Sequence, residues 1–178
     1  MRNVILYSAI TIDGYIAKRN GNLDWLYEFD KSNNEASEIF TEFYNKIDTT
    51  LIGNNTYRQI CESGNIRPYK EKTNYVFSKE FHKNDENVTF VQGNIEQFIL
   101  DQKKRPGQDI WLVGGGQLNN TFYEINQIDQ IILDIIPVIL GEGIPLLSRG
   151  NSHQFYKQEF IQSFPSGRVQ IRYRKYTS

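Results

Sequence analysis

The sequence predicts a three-layer α/β domain, with a mixed, mostly parallel central sheet that ends in an antiparallel hairpin. Three observations predict it. Short β-branched apolar runs alternate with stretches of helical periodicity along most of the chain. Two of those runs end in glycine and lead straight into a helix, at Leu51-Ile52-Gly53-Asn54 and Leu112-Val113-Gly114-Gly115. The last two runs are joined by Pro165-Ser166-Gly167, a hairpin turn.

Taken in order, the strands are expected at Val4 to Ile10, Thr49 to Gly53, Thr73 to Ser78, Val88 to Gln92, Asp109 to Gly114 and Gln130 to Ile136. The closing pair runs Lys157 to Phe164 and Arg168 to Tyr176. Asn34 to Lys46 carries Ala36, Ile39, Phe40, Phe43 and Tyr44 at helical spacing. Asn55 to Glu62 follows a glycine. Ile95 to Lys104 is closed by Arg105-Pro106-Gly107, and Gln117 to Ile125 opens on the triple glycine. Residues 12 to 30 read as a long polar connection, and long loops in compact domains are often functional.

At 178 residues the chain has the length of one domain, taken as 1–178. A net charge of −1 gives no electrostatic basis for gripping nucleic acid or an anionic membrane. Cys61 is the single cysteine, which excludes an internal disulfide and argues against a cysteine zinc site. The histidines, His82 and His153, lack ligand spacing, so no metal is expected. The apolar start soon meets Asp13, too short for a signal segment or a membrane span, and a cytoplasmic location is expected.

Three segments can carry chemistry. Gly114-Gly115-Gly116, with Gln117 and Leu118 after it, lets backbone N–H groups approach a phosphate at a helix start. A tight turn with no ligand is the plain alternative. Gly53, Asn54 and Thr56 form a second junction of the same kind, which also reads as ordinary helix capping. The third segment holds Asp13, Asp24, Trp25 and Asp30. A carboxylate beside that indole can have a raised pKa and give up a proton; a solvated loop anchored by Trp25 is the other reading. The first β–α turn lacks GxGxxG, so a Rossmann assignment is poor.

Together SAITIDGYIA (8–17), GNLDWL (21–26), LIGNNTY (51–57), YVFSK (75–79), WLVGGGQL (111–118) and IIPVILGEGIPLL (135–147) resemble the dihydrofolate-reductase-like superfamily. Within it the chain is most similar to the reductase domain of bacterial riboflavin biosynthesis, the RibD C-terminal type, and its stand-alone relatives. The resemblance implies NADPH bound across the carboxyl ends of the central strands. It places Ala9, Ile10, Ile16 and Ala17 beside the nicotinamide, and Gly53, Asn54 and Thr56 at the diphosphate or adenosine end. It places Ser78 and Lys79 at the 2′-phosphate, and Gly114, Gly115, Gly116, Gln117 and Leu118 around the diphosphate, with a cis peptide at Gly114-Gly115. Asn54 stands where the family often has an arginine, leaving Lys79 as the obvious cation.

The activity implied is hydride transfer to a small heterocyclic substrate, nearest to reduction of 5-amino-6-(5-phosphoribosylamino)uracil. Asp30 is the first candidate proton source, with Asp13 or Asp24 second, and Trp25 and Tyr57 are assigned to the substrate side. Dihydrofolate reductase is the alternative enzyme. Asp30 keeps the acid in register for it, while Lys72 and the more distant Arg67 stand in for the arginine that grips a folate tail. A nucleotide-binding protein of this fold without turnover is the non-catalytic alternative. The riboflavin-type relatives imply a homodimer, and the apolar stretch 131 to 140 is compatible with its surface.

Overall fold

A computed structural model describes residues 1–31, 36–64, 69–80, 84, 86–148 and 153–176. Arg67 and His82 lie outside the described residues, as do Asn34 and Glu35 at the start of one expected helix. The elements in order are β1 (Val4–Thr11), β2 (Tyr15–Ala17), α1 (Asp24–Lys31), α2 (Ala36–Tyr44), β3 (Ile47–Gly53), α3 (Asn54–Glu62), β4 (Thr73–Phe77) and β5 (Val88–Val91). They continue with α4 (Ile95–Lys104), β6 (Asp109–Gly114), α5 (Gly116–Glu124), β7 (Gln130–Ile136), β8 (Ile144–Pro145), β9 (Tyr156–Ser163) and β10 (Val169–Lys175).

Eight strands form one sheet in the order β5-β4-β3-β6-β1-β7-β10-β9. The first six are parallel to their neighbours, and β10 joins β7 antiparallel. The predicted turn closes the β9–β10 hairpin, where the Gly167 N–H donates to Phe164 O at 2.9 Å. Gly167 has φ +86°, a conformation that a side chain disfavours.

Strand alternation divides the core. Val4 and Leu6 of β1 point to the face covered by α4 and α5, meeting Ile99, Leu118 and Phe122. Ile5 and Tyr7 point the other way, to Phe40 and Phe43 of α2 and to Trp111. On that second face Tyr57 of α3 joins Ile52, Val76 and Val88. This is the three-layer arrangement the sequence predicts.

The loop expected over 12–30 is corrected. It contains β2, paired antiparallel with β8, and the helix α1. The signals for α1 were local: Asp24 in its first turn, Lys31 in its last, and Trp25 as the buried anchor. β2 and β8 are too short to leave a periodic trace in the sequence.

Beyond the helices the sheet keeps a patch that is only partly covered among the described residues. Leu133, Ile171 and Ile161 lie side by side across β7, β10 and β9, and Ile161 is 55% exposed.

Candidate active site

The parallel strands bring four separated segments to one edge. Ser78 follows the carboxyl end of β4, Gly53 ends β3, Gly114 ends β6, and Ala9 and Ile10 lie near the end of β1. These strands are consecutive neighbours, so the segments stand in a row. Helices that start at such an edge turn their free N–H groups toward whatever binds there.

The two glycine junctions touch. The Gly115 N–H donates to Thr56 Oγ1 at 2.8 Å. A Cβ added to Gly53 would stand 3.3 Å from Gly114 O, so the end of β3 lies directly against the Gly114–Gly115 peptide. That peptide is cis, as the resemblance implies. Ile16 closes over the same place: its Cδ1 lies 3.9 Å from where a Gly115 Cβ would be.

Part of the glycine run serves the chain itself. Gly114 has φ +98°, and a Cβ there would come 2.7 Å from Asn119 Oδ1. One on Gly116 would come 2.7 Å from Pro145 O, because β8 folds back over the turn. The plain turn reading therefore explains Gly114 and Gly116. It leaves the helix starts unexplained. α3 begins after Gly53 and α5 after Gly115, both without a side-chain cap, whereas Asn94 caps α4 by accepting from Gln97 N. Two adjacent helices whose first N–H groups lack a capping side chain suit a diphosphate. The Leu118 side chain joins the core cluster with Phe122, and its Cβ lies 3.7 Å from where a Gly53 Cβ would be. Gln117 is exposed. Ala17 is buried in β2.

Beside this edge lies a cavity of about 290 Å³, lined in part by Tyr7, Ser8, Ala9, Leu26, Asp30 and Trp111. Phe40, Ile136, Asp134 and Arg168 complete its wall. Asp30, from α1, sits at its solvent-exposed rim. Partial burial raises its carboxyl above the ordinary aspartate range, and the nearby Arg168 charge opposes that rise. The other two carboxylates are committed elsewhere. Asp13 accepts from Thr11 Oγ1 at 2.5 Å and from Gly141 N at 2.7 Å, which lowers its pKa and ties the loop after β1 to the loop after β7. Asp24 pairs with Lys18 at 2.8 Å and accepts from Trp25 N, which lowers its pKa. Neither lines the cavity.

Trp25 is buried next to the cavity-lining Leu26, and its Nε1 has no hydrogen-bond partner among the described residues. Tyr57 packs edge-on against Phe90, with ring centroids 5.7 Å apart, and the cavity is lined by other residues. Lys72 is likewise not available for a substrate tail. Its Nζ donates to Ile47 O at 2.9 Å and lies 4.2 Å from the Tyr44 ring centroid, at the opposite end of β3.

The cavity floor holds a network that the sequence reading missed. Asp134, 5% exposed in the middle of β7, pairs with Arg168 at 2.5 Å. It also accepts from Tyr7 Oη at 2.7 Å and from Gln170 Nε2 at 2.9 Å. Gln170 Oε1 in turn accepts from Arg172. Burial and the Asp134 charge push the Tyr7 phenol far above its usual value, so it stays protonated and donates. The signal was the single carboxylate in QIILDII, which a buried strand tolerates only with a partner.

Residues 2–169 match the family described as RibD C-terminal domain. The chain belongs to that family. It is 40% identical over 147 residues to the protein YwjB of Bacillus subtilis, covering 82% of each chain. A protein of Shewanella sp. PV-4 named for riboflavin biosynthesis has the same fold, with TM-score 0.88 and 23% identity over 98% of this chain and 99% of that one. So does the deaminase and 5-amino-6-(5-phosphoribosylamino)uracil reductase of Thermotoga maritima, with TM-score 0.72 and 16% identity. The match covers 98% of this chain and 56% of that longer one.

Proposed function

We propose that this RibD C-terminal domain protein is a cytoplasmic, NADPH-dependent reductase acting on a small heterocyclic substrate. The nearest named substrate is 5-amino-6-(5-phosphoribosylamino)uracil. The observation that carries the reading is the shared wall at Ala9. This residue belongs to the strand-end row that suits the cofactor, and it also lines the cavity that holds Asp30.

In this reading Gly53, Thr56, Gly115 and Gly116 hold the diphosphate by backbone approach and the helix starts. Ala9, Ile10 and Ile16 give the nicotinamide an apolar bed. NADPH supplies the hydride, and the chain supplies placement, a partly dry cavity and a proton. Asp30 carries that proton at the cavity rim, where partial burial raises its pKa against the opposing Arg168 charge. Leu26, Phe40 and Trp111 offer flat apolar contacts to a ring, and the Asp134–Arg168 pair fixes the floor beneath it.

Dihydrofolate reductase is the second reading, and the cavity position of Asp30 favours it. The engagement of Lys72 with Ile47 and Tyr44 speaks against it. Oxidation of NADPH with each substrate separately decides between them. Turnover of the ribosylaminouracil phosphate and not of dihydrofolate is expected, and the reverse result overturns the preferred substrate. We also propose a homodimer in which a second copy covers the Leu133–Ile171–Ile161 patch. Sedimentation at the mass of one 20.8 kDa chain would contradict it.

A further inference from the structure

We propose that Arg58, together with Lys79, seats the 2′-phosphate of the cofactor, taking the cationic role that Asn54 cannot fill. This inference rests on the NADPH reading above and names a residue that the reading does not use.

A dianionic phosphate beside two helix starts still calls for cationic side chains. Asn54 is the first residue of α3, and its amide, whose buried Oδ1 has no hydrogen-bond partner among the described residues, is uncharged and supplies no cation to a dianionic phosphate. Other cations near the cofactor edge are occupied: Lys18 pairs with Asp24 and Arg19 with Glu142. Among the described residues, neither Arg58 nor Lys79 makes a side-chain hydrogen bond or ion pair, and both are exposed.

The helix geometry places Arg58 on the appropriate flank. At about 100° per residue, Asn54 and Arg58 lie within about 40° of each other on α3, one turn apart. Helical side chains lean toward the N-terminus, so the Arg58 side chain reaches back over Asn54. The direction of that flank is fixed by two neighbours. Thr56 turns toward Gly115 at the end of β6, and Tyr57 turns toward Phe90 of β5. Asn54 and Arg58 continue round the helix on the Tyr57 side, which is the β4–β5 side. Ser78 and Lys79 leave β4 on that same side, where Gly53 pairs with Phe77 across the two strands. Two long cationic residues, one from α3 and one from just after β4, thus stand on one flank of the cofactor edge.

The test is binding of NADPH, NADH, 2′,5′-ADP and 5′-ADP to the wild type and to Arg58→Gln, by calorimetry at fixed salt. Arg58 is exposed, so the variant should fold. The wild type is expected to prefer the 2′-phosphorylated member of each pair. Arg58→Gln should weaken NADPH and 2′,5′-ADP about tenfold or more while leaving NADH and 5′-ADP within about twofold. Arg58→Lys should restore part of the preference. An unchanged NADPH affinity in Arg58→Gln overturns the inference and leaves the reductase reading standing. Binding of neither NADPH nor NADH to the wild type overturns both.

Discussion

Asp134→Ala should destabilise the fold by about 3–5 kcal/mol, read as a shift in urea unfolding. The residue is 5% exposed and balances Arg168, itself 4% exposed. Removing it leaves a buried guanidinium without its hydrogen-bonded carboxylate. It also takes away the acceptor of the Tyr7 hydroxyl and leaves Gln170 Nε2 only its longer bond to Tyr7 Oη, at 3.3 Å. Burying one charge unpaired costs more than the pair contributes, which sets this substitution apart from an ordinary core truncation. A loss below about 1 kcal/mol would mean that water reaches Arg168 and that the floor of the cavity is not the closed network described.

Asp30→Asn should cut turnover by about 10²- to 10⁴-fold with NADPH affinity unchanged. The carboxyl lines the cavity, away from the Gly53 and Gly115 junctions, so binding of the cofactor does not depend on it. The pH profile gives the sharper reading. A general acid works protonated, and burial raises the pKa of Asp30. The rate should therefore fall as pH rises through that raised value, and the variant should lose this limb of the profile. A variant that keeps both rate and profile would move the proton source to bound water.

Much of the fold was legible because parallel strands buried on both faces leave continuous apolar runs, and glycines mark their ends. DIWLVG and QIILDII are strands over the residues expected. α1 was hidden because Asp24, Glu28 and Asp30 made its stretch look like a polar loop, although Trp25 anchors it. The row of cofactor segments was legible only through their order, since Gly53 and Gly115 are 62 residues apart and meet through Thr56. The Asp134–Arg168 pair was not legible as a pair. Its members lie 34 residues apart, Asp134 in β7 and Arg168 just before β10, and no local pattern announces that these two strands pair antiparallel. The lone aspartate in an apolar strand announced that a partner exists without saying which.

The central claim is that the edge joining Gly53, Thr56 and Gly115 binds the diphosphate of a nicotinamide cofactor. Thermal unfolding with and without NADPH tests it most directly, on the wild type and on Gly115→Val. The backbone at Gly115, with φ −74°, accepts a side chain, and the first carbon would stand 3.0 Å from Thr56 Oγ1, within the proposed cradle. At a hundredfold excess over its dissociation constant, NADPH should stabilise the wild type by about 2.7 kcal/mol and the variant not at all. A wild type that neither NADPH nor NADH stabilises, or a folded Gly115→Val that NADPH stabilises equally, would contradict the claim.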